Sequence, residues 1–214
     1  MELLSLVLTL RPCPSAVSAP LPAWWGRAAH ALLLRTLQQQ DPALSATLHD
    51  DPNALRPLTA STLLGRFPNQ AFDPQGLYTL RLTGLSAAVC TALQSAIQPS
   101  GSLTPGAVLD LDGHALQVAG IAWQAAEHPW AANDTYSALS GRFLLGRAAP
   151  PRALRLQFAS PTAFKTQART LPLPLPEQVF RSLLERWNAF APLAFPPETR
   201  SEERRVGKEC RSRW

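Results

Sequence analysis

The chain has 214 residues, of which 46% are hydrophobic and 16% charged, and its formal net charge is +5. This material is enough for one large domain or two small ones, and it excludes a wholly disordered chain. Lys165 and Lys208 are the only lysines among 20 basic residues, so the other 18 are arginine. Because the guanidinium fork suits phosphate groups, the charge balance favours an anionic partner.

The first predicted element is a strand over residues 3–10, in which the even-numbered leucines share one face. Pro12 and Pro14 are expected to end it. The run also resembles a secretory leader with a small-residue cleavage region at 15–19, but Glu2 and the absence of an early Lys or Arg favour the strand. No apolar run reaches the length of a membrane span.

Two helices are predicted next. Residues 22–40 show helical periodicity, and His30 lies on the same stripe as Leu33 and Leu37. Asp41-Pro42 then has the pattern of an N-cap followed by a first-turn proline, which predicts a short helix ending at His49. Residues 50–53 form a predicted turn.

The first half continues with predicted strands at 58–63 and 77–83, a helix at 86–97, and strands at 107–112 and 115–123. Asp112-Gly113 between the last two strands is a strong hairpin signal. The resulting order is the β-α-β-β-α-β arrangement of a ferredoxin-like domain, an α+β fold in which two helices cover one face of an antiparallel sheet. This domain is expected to span residues 1–125.

Residues 126–200 are expected to form a partial second copy of the same domain. Its first part, up to residue 151, is expected to be irregular, and its first strand is predicted at 153–159. A helix after Glu177 places Val179, Leu183, Trp187 and Phe190 on one face. Residues 201–214 differ in character, since 8 of these 14 residues are charged, and they are interpreted as a non-native tail read through a truncated reading frame.

Histidines are the first candidates for chemistry. His30 can be read as a packed core residue or as a catalytic one. His49 lies at the end of a short helix beside Asp50 and Asp51, and these neighbours favour its protonated form for proton transfer near neutral pH. A solvated loop histidine is the alternative for His49. His114 and His128 are interpreted as turn residues.

Several kinds of site are not predicted. The three cysteines are far apart in the sequence, which indicates neither a disulfide framework nor a zinc site and fits a reducing cytoplasm. The sequence also lacks a G-x-S-x-G elbow, a phosphate-binding glycine loop and metal-ligand clusters. No metal and no cofactor are therefore expected.

Five stretches carry a resemblance to a known family. They are DPALSATLH at 41–49, RPLTAS at 56–61, HPWA at 128–131, LQFASPTAFK at 156–165, and LPLP at 173–176 before a helix containing RWN at 186–188. In this order and spacing they resemble the CRISPR-associated endoribonucleases of the RAMP superfamily, which cut precursor CRISPR RNA within its repeats.

The resemblance implies two tandem ferredoxin-like domains, the second incomplete here, and metal-independent cleavage that leaves a 2′,3′-cyclic phosphate and a 5′-hydroxyl. The family's general acid/base histidine falls on His49, and its basic partner falls on Arg56, which can clamp a phosphate. His30 is the second candidate for the acid/base role. Some members carry a catalytic Tyr where this chain has Leu34.

The resemblance also implies partners. CRISPR repeat RNA is the expected ligand, contacted by Arg56, Lys165 and Arg169, and a CRISPR effector complex is a further partner. The family's C-terminal glycine-rich loop has no counterpart, since only Gly207 follows Gly146. In the family this loop contacts the repeat RNA. If the tail is foreign, this chain by itself is expected to lack the RNA contacts of that loop and could be inactive.

Two other functions stay open. The missing Tyr is compatible with a non-catalytic RAMP-type subunit that binds guide RNA within an effector complex. A periplasmic or structural ferredoxin-like protein is the third alternative, and it requires removal of residues 1–19.

Overall fold

The computed structural model describes residues 1–17, 20–50, 55–146, 153–159, 162–166 and 169–196. The chain divides into two compact units, Met1–Arg147 and Ala148–Trp214. This division lies later than the expected boundary after residue 125, because residues 132–134 add a strand to the sheet of the first unit. The tail at 201–214 lies outside the described residues.

An antiparallel sheet forms the first unit, and its strands are β1 (Leu3–Pro12), β2 (Leu58–Ala60), β3 (Tyr78–Gly84), β4 (Val108–Leu111), β5 (His114–Ala122) and β6 (Ala132–Asp134). The strand order is β2-β3-β1-β5-β4, with β6 also paired to β1. The predicted strand at the N-terminus is thus central, and it extends to Pro12. The predicted strand at 58–63 is shorter than expected.

Helices of the first unit are α1 (Pro14–Val17), α2 (Gly26–Gln40), α3 (Pro42–Asp50), α4 (Ala87–Ala96) and α5 (Tyr136–Leu144). The predicted helices at 22–40, 41–49 and 86–97 are confirmed with small changes at their ends. The helix α2 begins at Gly26 rather than Pro22. In the segment before it, the carbonyl oxygen of Pro20 lies 3.1 Å from Nε2 of His114. No helix among the described residues has the length and hydropathy to cross a membrane.

The sequence Asp112-Gly113 forms the predicted hairpin turn between β4 and β5. Asp112 has φ 53° and Gly113 has φ 83°, so both residues occupy the left-handed region that a two-residue type I′ turn requires. The carboxylate of Asp110 accepts a hydrogen bond from the Gly113 N–H at 2.9 Å. Local chemistry therefore fixes this turn.

The core lies between the sheet and its helices. The even-numbered leucines of β1 from Leu4 to Leu10 are all buried, as are Leu33 and Leu37 of α2. Ser86 caps α4 by accepting a hydrogen bond from the Val89 N–H at 3.5 Å. These contacts place α2 and α4 against the sheet, so the described structure is the α+β class that was expected.

Two stretches differ from the sequence prediction. The region 125–151 was expected to be irregular, but it contains β6 and α5, and the Glu2 carboxylate accepts a hydrogen bond from the Tyr136 N–H at 3.0 Å. The predicted strand at 153–159 is wrong, because these residues pair with no strand in the described part of the chain and side chains such as Leu154 are exposed. Alternating hydrophobicity alone does not supply a pairing partner.

The second unit contains the hairpin strands β7 (Phe164–Thr166) and β8 (Arg169–Leu171) and the helix α6 (Pro176–Phe190). The helix was predicted and the hairpin was not. Val179 is buried, whereas Leu183, which was placed on the same apolar face, is 55% exposed. The Asn188 side chain donates to the carbonyl of Phe195 and accepts from its N–H, so residues 193–195 fold back along α6.

Candidate active site

The helices α2 and α3 form the framework of the site. A single residue, Asp41, separates them, and its N–H donates to the carbonyl of Leu37 at 2.7 Å. Its carboxylate accepts a hydrogen bond from the Leu44 N–H at 2.9 Å, which is the N-cap predicted from the sequence. The two ends of the linker are thereby fixed, so α3 leaves α2 at a defined angle and holds its last turn in place.

His30 lies in α2 and meets Arg56 from the segment before β2. The Nη1 atom of Arg56 lies 3.3 Å from Nε2 of His30, and both side chains are half-buried. Leu33 and Leu37, on the same helical stripe, are fully buried. His30 therefore sits at the border of the core, where α2 faces the start of β2.

His49 lies in the last turn of α3 and is exposed to solvent. It is close enough to act on His30, since burial, the Arg56 guanidinium and the charge of His49 all lower the pKa of His30, in that order of size. A lowered pKa keeps the His30 imidazole neutral at neutral pH. His30 and Arg56, from separate segments, are thus in direct contact, and the charge of His49 acts on His30 from α3.

This arrangement can do acid–base chemistry on an anion. A neutral half-buried imidazole can accept a proton, an exposed imidazole near neutral pH can carry one, and a guanidinium can bind phosphate oxygens. The acidic neighbours expected for His49 are not part of the description, because Asp51 lies outside the described residues and the Asp50 side chain is not described.

Leu34 occupies the position matched to a catalytic Tyr in the resemblance. Its side chain packs against the hydrophobic core from a partly buried position. A hydrocarbon side chain has no proton to transfer, so this position contributes packing.

Lys165 and Arg169, the other expected RNA contacts, lie on the hairpin of the second unit. Lys165 belongs to β7 and Arg169 to β8, and Thr166 pairs with Arg169 between these strands. The backbone thus places both basic residues at the same end of the strand pair. Their side chains are not described.

His114 does not fit its interpretation as a turn residue. It is the first residue of β5, is only 5% exposed, and has its Nδ1 and Nε2 atoms 3.0 and 3.1 Å from the carbonyl oxygens of Asp112 and Pro20. Its ring also packs edge-on against Trp25 at 5.2 Å between centroids. The missed signal is the alternation of His114, Leu116 and Val118 on the buried face of β5.

His128 lies in the loop where it was expected, and its Nδ1 accepts a hydrogen bond from the Trp130 N–H at 3.0 Å. Cys90 is a core side chain, and burial raises the pKa of its thiol to about 11. Among the described residues, no group of three His, Cys, Asp or Glu side chains is arranged to hold a metal ion.

Comparisons with known proteins agree with the resemblance. A profile of the family described as CRISPR-associated endoribonuclease Cas6 matches residues 156–209. No curated protein sequence matches the chain. The solved product complex of Cas6 (TTHB231), a protein also solved as Thermus thermophilus Cas6, is 26% identical with a TM-score of 0.60, and the match covers 97% of this chain and 73% of that chain.

A second solved structure, the product complex of Cas6 (TTHA0078), is 25% identical with a TM-score of 0.63. This match covers 94% of the present chain and 68% of the other. The family profile matches only residues 156–209, and the structural matches extend over nearly all of the chain. The predicted resemblance to the CRISPR-associated endoribonucleases is therefore confirmed: the chain is similar to Cas6 in sequence over residues 156–209 and in structure over nearly its whole length.

Proposed function

We propose that this chain carries the catalytic centre of a metal-independent endoribonuclease that cleaves precursor CRISPR RNA within its repeats. The products would be guide RNAs with a 2′,3′-cyclic phosphate on one side of the cut and a 5′-hydroxyl on the other. The observation that carries the proposal is the contact between His30 and Arg56, and the effect of the His49 charge on the pKa of His30 supports it.

The reaction needs a base for the attacking 2′-hydroxyl. His30 is suited to this role because burial and its cationic neighbours lower its pKa, so that the ring is neutral near neutral pH. In the first step the 2′-oxygen loses its proton to an imidazole nitrogen and forms a bond to the adjacent phosphorus. Each acid–base group of this kind contributes about 10²–10⁴-fold to a rate.

The leaving 5′-oxygen needs a proton when its bond to phosphorus breaks. His49 is exposed in the last turn of α3 and can carry that proton to the leaving oxygen. Before the reaction the extra proton is on His49, and after the reaction it is on His30. Exchange with water restores the starting state.

Negative charge grows on the phosphate oxygens during the attack. The guanidinium of Arg56 lies beside His30 and can donate parallel hydrogen bonds to these oxygens. An arginine does not act as a base at neutral pH, so its part is electrostatic.

The wider binding surface is also part of the proposal. We assign Lys165 and Arg169, on the β7–β8 hairpin, to contacts with the RNA backbone. The second unit is proposed to be an incomplete copy of a ferredoxin-like domain in tandem with the first. The reaction is placed in the cytoplasm, where the precursor is transcribed, and delivery of the product to an effector complex would follow.

The test uses the complete product of the gene and a repeat RNA from the CRISPR array beside it. Incubation in EDTA is expected to yield one cut, with a cyclic phosphate identified by mass spectrometry. A matched RNA with a 2′-deoxy nucleotide at the cut should bind and stay intact, because the nucleophile is missing.

Two results would contradict the proposal. Tight binding of the repeat RNA without any cleavage would favour the non-catalytic RNA-binding subunit. Cleavage of the 2′-deoxy RNA would show that the nucleophile is water rather than the neighbouring hydroxyl.

A further inference from the structure

We propose that Arg56 is a positioning residue for His30, which holds the imidazole in the tautomer that has its proton on Nδ1 and its lone pair on Nε2. The inference rests on the proposed function for its meaning in catalysis. Its evidence is a contact inside the protein, between Nη1 of Arg56 and Nε2 of His30 at 3.3 Å.

The direction of this hydrogen bond follows from the chemistry of the two groups. A guanidinium has five N–H donors and no acceptor, so Arg56 can only donate. Nε2 of His30 must then be the acceptor, and a neutral imidazole with an unprotonated Nε2 carries its proton on Nδ1. Histidine in water prefers the opposite tautomer, so the contact with Arg56 selects the less common form.

The groups around His30 also favour its neutral form. Arg56 approaches from the segment before β2 and His49 from α3. Of the other elements that pack against α2, the strand β2 and the helix α4 contain no charged side chain, and β4 contains Asp110, whose carboxylate accepts a hydrogen bond from the Gly113 N–H. Both cationic neighbours and burial lower the pKa of His30. A protonated His30 would face the guanidinium with a second positive charge, which the half-buried position screens poorly.

The arrangement lets one arginine serve two purposes. The planar guanidinium of Arg56 presents N–H donors whose fixed directions suit phosphate oxygens as well as an imidazole nitrogen. Arg56 would therefore orient the base in the RNA-free protein and bind the anion once the RNA enters. When the RNA enters, the Arg56 N–H leaves Nε2, and the lone pair of Nε2 accepts the proton of the 2′-hydroxyl instead.

The test is a measurement of ring nitrogen shifts by long-range ¹H–¹⁵N NMR on the RNA-free chain, with His30 assigned from the spectrum of His30→Phe. We expect the wild-type protein to show a protonated Nδ1 and an unprotonated Nε2 at neutral pH. In Arg56→Met, which keeps an apolar stem and has no donor, the signals should move toward the Nε2-protonated form.

Titration gives a second readout. Removal of the Arg56 charge should raise the pKa of His30 toward its ordinary value of 6.5, so the midpoint moves to higher pH in Arg56→Met. Arg56→Lys retains a charge and a donor and should restore both the tautomer and the lower midpoint. Arg66→Met, a change at an exposed arginine in the loop before β3, is the matched control and should leave His30 unchanged.

A protonated Nε2 in the wild-type protein would overturn the inference without any variant, even if Arg56→Met did not fold. An unchanged tautomer and midpoint in a folded Arg56→Met would overturn it as well. These measurements need no RNA, so they are independent of cleavage. If the tautomer is as expected and cleavage is absent, the proposed function fails and the positioning contact stands.

In the complete gene product, the acidic limb of the pH–rate profile should shift in the same direction as the pKa of His30. Because the base must be unprotonated, a raised pKa of His30 moves this limb to higher pH in Arg56→Met and back in Arg56→Lys. A lower rate with an unshifted limb in Arg56→Met would reduce Arg56 to phosphate binding and overturn its positioning role.

Discussion

Two histidines near α2 show how tertiary surroundings separate a structural side chain from a reactive one. His114 is buried beside the N-terminal end of α2, where both ring nitrogens lie near backbone carbonyl oxygens and the ring packs against Trp25. His30 is one turn into α2, is half-buried, and has Nε2 beside the guanidinium of Arg56. The first has fixed backbone partners, and the second has a partner that can also bind an anion.

The difference lies in the partners rather than in the residue type. Backbone carbonyls stay in place, so a buried histidine whose ring lies between two of them and donates to one stabilises a loop and a strand start. A side-chain partner at the edge of the core can move with a ligand, and the proposed function assigns the opposite proton-transfer role to His49. Burial thus predicts structure at His114, and half-burial beside cationic groups predicts chemistry at His30.

The largest expected effect is on cleavage, and it comes from the exposed member of the histidine pair. His49→Ala in the complete gene product should lower the single-turnover rate by about 10²-fold or more, because the leaving oxygen loses its proton donor. Thermal unfolding should stay nearly unchanged, since His49 is exposed. Rates are measured with excess protein over labelled repeat RNA.

His128→Ala is the control for this variant, because it removes a loop histidine that lies outside the proposed site. It should cleave at close to the wild-type rate. If His49→Ala cleaves as fast as this control, the acid role moves away from His49, and His30 becomes the main candidate.

The reverse pattern is expected at the buried histidine. His114→Ala removes the donor or donors facing two carbonyl oxygens and leaves a cavity beside Trp25. We expect a loss of about 3 kcal/mol in the free energy of unfolding, measured in urea. The rate of RNA cleavage by the remaining folded protein should be close to that of the wild type.

His128→Ala is the control and should cost about 1 kcal/mol, because it removes one hydrogen bond. If His114→Ala loses less stability than this control, His114 is not a structural anchor. A large fall in cleavage with the fold intact would place His114 in the reaction and remove the contrast with His30.

The smallest effect tests the connection between stability and the site. Asp41→Ala removes the N-cap of α3, the helix that carries His49, and should cost about 1 kcal/mol in the free energy of unfolding. Cleavage should fall by no more than about tenfold, since a tenfold change corresponds to about 1.4 kcal/mol. Asp41→Asn keeps a side-chain acceptor and is the matched control.

A cleavage defect of about 10²-fold in Asp41→Ala, with α3 still folded by circular dichroism, would contradict this view. It would mean that the cap residue itself takes part in the reaction. Equal stability of the Ala and Asn variants would instead show that the cap does not stabilise α3.

Much of the first unit follows from local sequence chemistry. The central strand is predicted by its alternating leucines, the start of α3 by Asp41-Pro42, and the hairpin by Asp112-Gly113, because each signal acts over a few neighbouring residues. The strand expected at 153–159 fails and the hairpin of β7 and β8 is missed, since pairing depends on which segments meet in space.

The candidate site divides in the same way. The sequence pattern identified His30 and His49 as titratable groups at informative places, the resemblance added Arg56, and neither could show which of them meet. His30 and Arg56 are 26 residues apart, and only the packing of α2 against β2 and α3 brings their nitrogens to 3.3 Å. Periodicity gives a residue its face on a helix, whereas burial, hydrogen-bond partners and pKa depend on what the fold places opposite that face.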